Sequence, residues 1–327
     1  VPGVLGLTDL APVDGAGWPA LTAQLLGEAR PRLAVARLSG GAIALGRYQR
    51  AETVLTAQGR AAIVRRRVTG GRAIALGEGL IAVALVLPHR SWLVDADPEA
   101  LPASRFLNRA VRGVLSGLGR LGVGAFYFGR DFVTVDSLQA GALSFDVTSS
   151  GAALLECILA AEAHWWLPAA CDALPARAPQ RGVPGPGAVA ALEGKSSAAV
   201  LEALGQGFAE RFGLTCAVDG RPLSGLPAIP EPASLEKRSS LREISGGFAE
   251  VGVTLAHGRI SAASFNGDFL ADSAGVEAAE QAVIGAEPTL EAIAPRLNGV
   301  YSRQRHTVLG VPDLTVWADA LIEACRT

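Results

Sequence analysis

Arg65-Arg66-Arg67-Val68-Thr69-Gly70-Gly71-Arg72-Ala73, followed by Gly77-Glu78-Gly79 and the apolar run Leu80 to Leu87, is the stretch that decides the fold. Four arginines surround a Gly-Gly turn. Glycine lets the backbone take conformations closed to other residues and come close to a ligand, and guanidinium forks suit a carboxylate or a phosphate. The unbroken apolar run predicts a strand buried on both faces. Together they predict a pocket for a molecule with one charged end and one apolar end. The plain alternative for the turn is a tight hairpin with its arginines in solvent.

Three other segments fit the same site. Gly46-Arg47-Tyr48-Gln49 follows a predicted strand end and offers another guanidinium in Arg47. Gly129-Arg130-Asp131 follows the aromatic run Phe126-Tyr127-Phe128, which is expected to fill the core beside the pocket. Gln139-Ala140-Gly141-Ala142 is a small-residue run where backbone can approach a ligand.

Composition narrows the function. The chain has 327 residues, half of them hydrophobic (50%), and a net charge of −2, so the material for a core is ample and no nucleic-acid partner is expected. All but Lys195 and Lys237 of the 29 basic residues are arginine, so lysine chemistry has few candidates. Cys157, Cys171, Cys216 and Cys325, and His89, His164, His257 and His306, show no metal-ligand spacing. The longest apolar stretch, Ala73 to Pro88, is interrupted by Gly77-Glu78-Gly79 and too short to span a bilayer. No signal peptide is visible at Val1 to Leu10, and a cytoplasmic location without membrane partners is expected.

Periodicity predicts helices at 18–30, 103–118, 197–212, 275–284, 289–297 and 314–325. It predicts strands at 33–37, 42–46, 61–66, 72–76, 80–87, 124–128, 132–135 and 139–146, a further strand or the start of a helix at 152–160, and a hairpin turning at His257-Gly258. Residues 173–188 read as a long surface loop and Arg221 to Ser234, with four prolines, as a linker. The expected organisation is α+β: a mixed-sheet catalytic domain over 1–220, a linker over 221–234, and a small α+β accessory domain over 235–327.

The four segments, in this order, resemble the lipoate–protein ligase A family of the biotin/lipoate ligase and octanoyltransferase superfamily. Its pattern runs from a glycine-arginine-x-glutamine strand end to an arginine-arginine-x-serine-glycine-glycine-glycine turn, and later to glycine-arginine-asparagine-aspartate. Arg47 and Gln49 match the first element. Arg66, Arg67, Thr69, Gly70 and Gly71 match the second, with Arg72 at the third glycine, and Gly129, Arg130 and Asp131 match the last. Gly258 to Phe269 looks like the hairpin of the family's accessory domain. The resemblance implies activation of lipoate or a related medium-chain acid with ATP and Mg²⁺, and transfer to a lysine on a lipoyl carrier domain. It assigns the anionic end of the ligand to Arg66, Arg67, Thr69, Gly70 and Gly71, the nucleotide side to Gly129, Arg130 and Asp131, and the acyl wall to Leu80–Leu87 and Leu138–Leu143.

Departures from the pattern matter as much. The family's lysine, three residues before Gly141, falls at Leu138. Its histidine, aspartate and asparagine after the turn fall at Leu76, Gly77 and Leu80, and its histidine pair at Ser149-Ser150. Leucine cannot neutralise a carboxylate and an α-phosphate. The second expectation is therefore a degenerate member that binds an acyl ligand, a nucleotide or an acylated carrier without adenylating it. A third, weaker one is transfer through a thioester on Cys157, which reads more simply as a buried structural cysteine. Glu156 beside it is expected to be a buried carboxylate paired with an arginine. His164-Trp165-Trp166 reads as a surface-to-core anchor, and Asp268 as a structural or interdomain contact.

Overall fold

The computed structural model describes residues 3–165, 185–221, 239–244, 247–302 and 304–326. The elements run β1 (Val4–Asp9), β2 (Val13–Asp14), α1 (Trp18–Glu28), β3 (Arg32–Ser39), β4 (Gly41–Leu45), α2 (Ala51–Val54), α3 (Ala57–Ala61), β5 (Val64–Arg66), β6 (Ile74–Gly77), β7 (Leu80–Leu87) and α4 (Ala103–Arg120). They continue with β8 (Ala125–Phe126), β9 (Phe132–Val135), β10 (Leu138–Val147), β11 (Ala153–Ala160), α5 (Ser197–Phe212) and β12 (Thr215–Val218). The C-terminal part holds β13 (Ser239–Ile244), β14 (Gly247–Ala256), β15 (Arg259–Gly267), β16 (Leu270–Ala271), α6 (Ser273–Val283), α7 (Leu290–Tyr301), β17 (Val308–Leu309) and α8 (Thr315–Arg326).

Nine strands form one mixed sheet in the order β12-β1-β3-β7-β11-β10-β9-β8, with β2 beside β3. The pairs β12–β1 and β1–β3 are parallel, and those from β3 through β7, β11, β10 and β9 to β8 are antiparallel. All of β7 is buried, because its two faces belong to two cores. Ile81, Val83, Leu85 and Leu87 pack with Phe106, Val111 and Phe208 of α4 and α5. Leu80, Ala82, Ala84 and Val86 pack with Trp18 and Leu25 of α1 and with Ala44 and Ile74 of the small sheet β5-β4-β6. A sandwiched strand has no polar face, which is why the run reads as continuously apolar.

Helices α4 and α5 touch backbone to backbone. A Cβ on Gly207 would stand 2.2 Å from the Gly117 nitrogen, and one on Gly117 2.5 Å from the Leu204 Cα. Helix α5 starts where Ser196 caps it, accepting the Ala199 N–H. At the tip of the β14–β15 hairpin His257 and Gly258 both take positive φ (51° and 74°), the two-residue turn whose twist suits a hairpin. The C-terminal core is aromatic: Trp317 stacks on Phe265 at 4.4 Å and meets Phe269 edge-on at 5.1 Å.

Several expectations need correction. Residues 57–61 are helical, with Thr56 capping the turn by accepting the Gly59 N–H, so the strand expected from 61 starts at Val64. The strands flanking the Gly-Gly turn do not pair with each other, since β4 lies between them. Strands β3 and β4, though joined by a tight Gly40 turn (φ 60°), belong to different sheets. Phe126 and Phe128 are exposed (59% and 70%), because β8 is the sheet's edge, and do not fill the core. Most of the predicted loop and linker, at 166–184 and 222–238, lies outside the described residues, as do Cys171 and Lys237.

Replacing Gly207 by alanine is expected to cost about 1–3 kcal/mol of stability by forcing α4 and α5 apart. Urea unfolding reads it as a lower midpoint, and an unchanged midpoint would contradict the backbone contact.

Candidate functional site

The arginines of the turn point inward. Arg65 alone is exposed, while Arg66, Arg67 and Arg72 are buried, which rules out a hairpin with its arginines in solvent. The Arg67 N–H donates to the Leu45 carbonyl at 2.9 Å, and the Arg47 N–H to the Thr69 carbonyl at 2.8 Å, so β4 holds the turn in place.

Each guanidinium has a distinct task. Arg66 Nη1 donates to the carbonyls of Gly46 (3.1 Å) and Gln49, gathering the chain after β4. Arg67 Nη1 reaches Ser144 Oγ at 2.8 Å and Glu156 Oε2 at 3.2 Å, and its Nη2 donates to the Arg72 carbonyl at 2.7 Å. Arg72 Nε donates to Asp131 Oδ2 at 2.8 Å. The anion that Arg67 holds is thus supplied by the protein.

Glu156 is the centre of this network. It sits in β11 on the face shared with Leu154 and Ile158, at 1% exposure. Oε2 also accepts from Thr69 Oγ1 (2.7 Å) and Ser144 Oγ (2.9 Å), and Oε1 accepts from Trp18 Nε1 (2.7 Å). Burying a carboxylate this far from water is costly unless donors such as these satisfy its oxygens.

The glycines of the turn make room for the C-terminal part. The Gly71 N–H donates to the Phe269 carbonyl at 2.8 Å. A Cβ on Gly70 would lie 2.8 Å from that carbonyl oxygen, and one on Gly71 (φ 90°) 2.9 Å from Leu270 Cδ2. The strand end Gly46–Gln49 has the same use. Tyr48 stacks on Phe269 at 4.9 Å, and Gln49 Nε2 donates to Asp268 Oδ1 at 2.5 Å. Arg47 Nη1 and Nη2 lie 3.5 Å from Asp146 Oδ2 and Glu277 Oε1. Asp146 accepts the Ser273 N–H (2.7 Å) and hydroxyl (3.1 Å) at the start of α6. Burial pushes its carboxyl up to about 6, against the pull of Arg47 and Ser273.

Two cavities share Asp131 as a wall. The inner one, about 10 Å³, is bounded by Arg67, Gly71, Arg72, Asp131, Gln139 and Trp165, with Ile74, Ala142 and Leu143 behind them. The outer one, about 270 Å³, is bounded by Gly129, Arg130, Asp131, Asp268, Leu270, Leu309 and Gly310. So Arg67, Gly71, Arg72, Gly129, Arg130 and Asp131 come together as cavity walls. Arg47, Arg66, Thr69 and Gly70 lie in the supporting contacts around them. Gly141 borders neither cavity: its missing Cβ makes room for the Ile158 carbonyl at 2.5 Å, within the sheet. Leu80–Leu87 is sealed between two cores and borders neither cavity. Leu138 is 42% exposed and packs by Gly187, and its neighbour Gln139 faces the inner cavity instead.

Sequence reasoning missed Trp18 and Ser144, gave Trp165 only an anchoring role, and named Gln139 only for its backbone. Ser144 and Gln139 lie on β10, a strand recognised from its pattern, but nothing in the pattern says which polar residues face inward. Lys195, the described lysine, borders neither cavity and precedes α5, where its carbonyl accepts from Arg37. Cys157 points into the apolar core on the opposite face of β11 from Glu156, and burial raises its thiol well above the ordinary range.

No known family model and no curated protein sequence matches the chain. Solved structures do. P. falciparum LipL1 in complex with lipoate superposes with a TM-score of 0.62 at 13% identity, covering 97% of both chains. The fold is that of the lipoate–protein ligases. The bipartite lipoate protein ligase of Thermoplasma acidophilum, studied with its E2 lipoyl domain, matches with a TM-score of 0.51 at 17% identity, over 66% of this chain and 87% of its own. At these identities the ligase fold is what is shared. No described helix is long and apolar enough to cross a membrane.

Glu156→Ala is expected to destabilise the protein by about 3–5 kcal/mol, since it strands a buried guanidinium, whereas Glu156→Gln, which keeps an acceptor, costs less. Denaturant unfolding reads both, and a Glu156→Ala variant as stable as the unmodified protein would contradict the network. Asp146 gives a pH test. Its folded pKa lies above the unfolded value, so the folded state binds the extra proton, and stability falls as pH rises from about 4 to about 6. Asp146→Asn should flatten that part of the profile, and an unchanged slope would contradict the assignment.

Proposed function

We propose that the chain binds a medium-chain acyl group, of the lipoyl type, in the cleft under the Arg-Gly-Gly turn without activating it as an acyl-adenylate. The observation that carries this reading is the charge balance of the cleft. Arg67 is matched by Glu156 and Arg72 by Asp131, and no described lysine borders either cavity. Acyl-adenylate formation brings together a carboxylate and a triphosphate, and a protein promotes it by presenting preorganised positive charge. The outer cavity offers one arginine, Arg130, against two aspartates, Asp131 and Asp268. Asp268 is further committed to Gln49 and to the Phe248 N–H. Among the described residues of the outer cavity, Arg130 is the one counter-charge a triphosphate would meet.

The lipoate bound in LipL1 and the lipoyl domain named with the archaeal ligase supply the ligand and partner class. The partner in this reading is an acylated carrier domain of that kind. A second reading, ATP-dependent lipoate ligation, is favoured by the half-buried Arg130 at the outer cavity. Transfer through Cys157 has the geometry against it, because the thiol faces the apolar core.

Incubation with lipoate, ATP and Mg²⁺ is expected to release no pyrophosphate, while a lipoyl or octanoyl ligand raises the melting temperature. Pyrophosphate release that disappears in Arg130→Ala would establish the ligase reading instead.

A further inference from the structure

Helix α4 carries on its outer face a row of charge that the fold does not answer. Its apolar side is spent on the core, where Phe106, Ala110, Val111 and Val114 are fully buried. On the other side Arg105, Arg109 and Arg112 follow at i, i+4 and i+7, the spacing that puts side chains on one helical face. Arg105 and Arg112 are exposed and Arg109 is half-buried. None of the three has an acidic partner among the described residues, and Arg112 donates only to Asn108 Oδ1, at 3.2 Å. Helix α4 itself contains no acidic residue. The arrangement costs stability. Like charges at these spacings repel, and Arg105 sits in the first turn, at the positive end of the helix dipole. Arg120 shows the contrast: in the last turn, where a cation suits the dipole, it also holds Glu210 at 2.9 Å.

The helix also links, along the chain, the segments that wall the outer cavity. At its start the Ala103 N–H donates to the Gln304 carbonyl at 2.9 Å, on the segment that runs into β17 and so to Leu309 and Gly310. Past its end the chain runs through β8 to Gly129, Arg130 and Asp131. Leu270 and Leu309 share the core of Phe106 and Leu107. We infer that Arg105, Arg109 and Arg112 form a docking stripe for an acidic face of the acylated carrier domain that presents its ligand to the cleft. The inference rests on the acyl-binding reading above and names the surface chemistry of the partner. The size of the stripe selects this partner. From Arg105 to Arg112 it is about 10 Å long, at ~1.5 Å per residue. Its guanidiniums match a small cluster of carboxylates on a folded protein. A nucleic-acid site makes about 6–10 phosphate contacts and a polybasic membrane site gathers about 4–8 cations. The apolar face of α4, which a bilayer would need, is already committed to the core. Exposed charges of this kind steer encounter and set partner choice more than they add affinity.

The test uses the full chain and two probes: a lipoylated E2 lipoyl domain of net negative charge, and lipoamide. Surface plasmon resonance reads the domain at low and high salt, and titration calorimetry reads lipoamide. In the triple variant Arg105→Gln, Arg109→Gln, Arg112→Gln the domain is expected to bind about tenfold more weakly at low salt, mainly through slower association, and with less salt dependence. Lipoamide affinity is expected to be unchanged. A merely structural role would not produce this split, because glutamine is a good helix former and removing like charges leaves the melting temperature unchanged or raises it. The domain with its acidic surface residues changed to Asn and Gln should bind the unmodified protein as weakly as the acidic domain binds the triple variant. Equal domain affinity and equal salt dependence in the unmodified and triple-variant proteins would overturn this inference and leave acyl binding intact. Lipoamide binding without any binding of the domain would do the same. So would a DNA duplex or phosphatidylserine vesicles that bind more tightly than the domain and lose that binding in the triple variant. Failure of the domain and lipoamide alike would overturn both.

Discussion

The contact between Arg67 and Glu156, with Thr69, Ser144 and Trp18 completing the carboxylate's hydrogen bonds, is the constraint on which the rest of the site depends. It joins four separate pieces of chain: the turn after β5, the middle of β10, the middle of β11 and the start of α1. Two opposite charges taken this far from water stabilise a fold only when their remaining donors and acceptors are met. Here the acceptor side is fully occupied. That completeness fixes the small sheet against the large one.

The same turn carries a second load. Its glycines, which in isolation read as room for a ligand, hold the backbone of Phe269 and the side chain of Leu270. Gly46–Gln49 stacks on and hydrogen-bonds to the same segment. Leu270, from the C-terminal part, reaches into the core of the large sheet, while Tyr48 enters the C-terminal core. The two parts therefore interlock across the site, with Leu309 joining Leu270 against the core of the large sheet. The mouth of the cleft is built as much by the C-terminal part as by the sheet, through Asp268, Leu270, Leu309 and Gly310.

What the amino-acid pattern revealed, and what it hid, follows from the range of the interactions. The apolar run 80–87 and the turn at His257-Gly258 are local signals, and the elements they mark are present. The Arg-Gly-Gly turn marked the cleft, and the resemblance built on it led to the right fold. The partners of its arginines were harder to see, because Glu156 lies 89 residues and Ser144 77 residues along the chain from Arg67. A glycine gives no sign of whether a ligand or a strand fills the space it leaves, so Gly70 and Gly141 read as ligand contacts when backbone occupies both places. Aromatic runs read as core, yet Phe126 and Phe128 lie on an edge strand. That the inner cavity is faced by Gln139 required the register of β10, which shifts between Gln139 and Gly141.

The central claim is that the positive charge of the turn is answered within the protein. A double-mutant cycle between Arg67→Leu and Glu156→Leu, read by denaturant unfolding, tests it most directly. Each single change strands a buried charge, and the pair together removes both, so the double variant should be about 2 kcal/mol or more better than the sum of the singles. Additivity within about 0.5 kcal/mol would mean that the two groups do not neutralise each other, and would contradict the account.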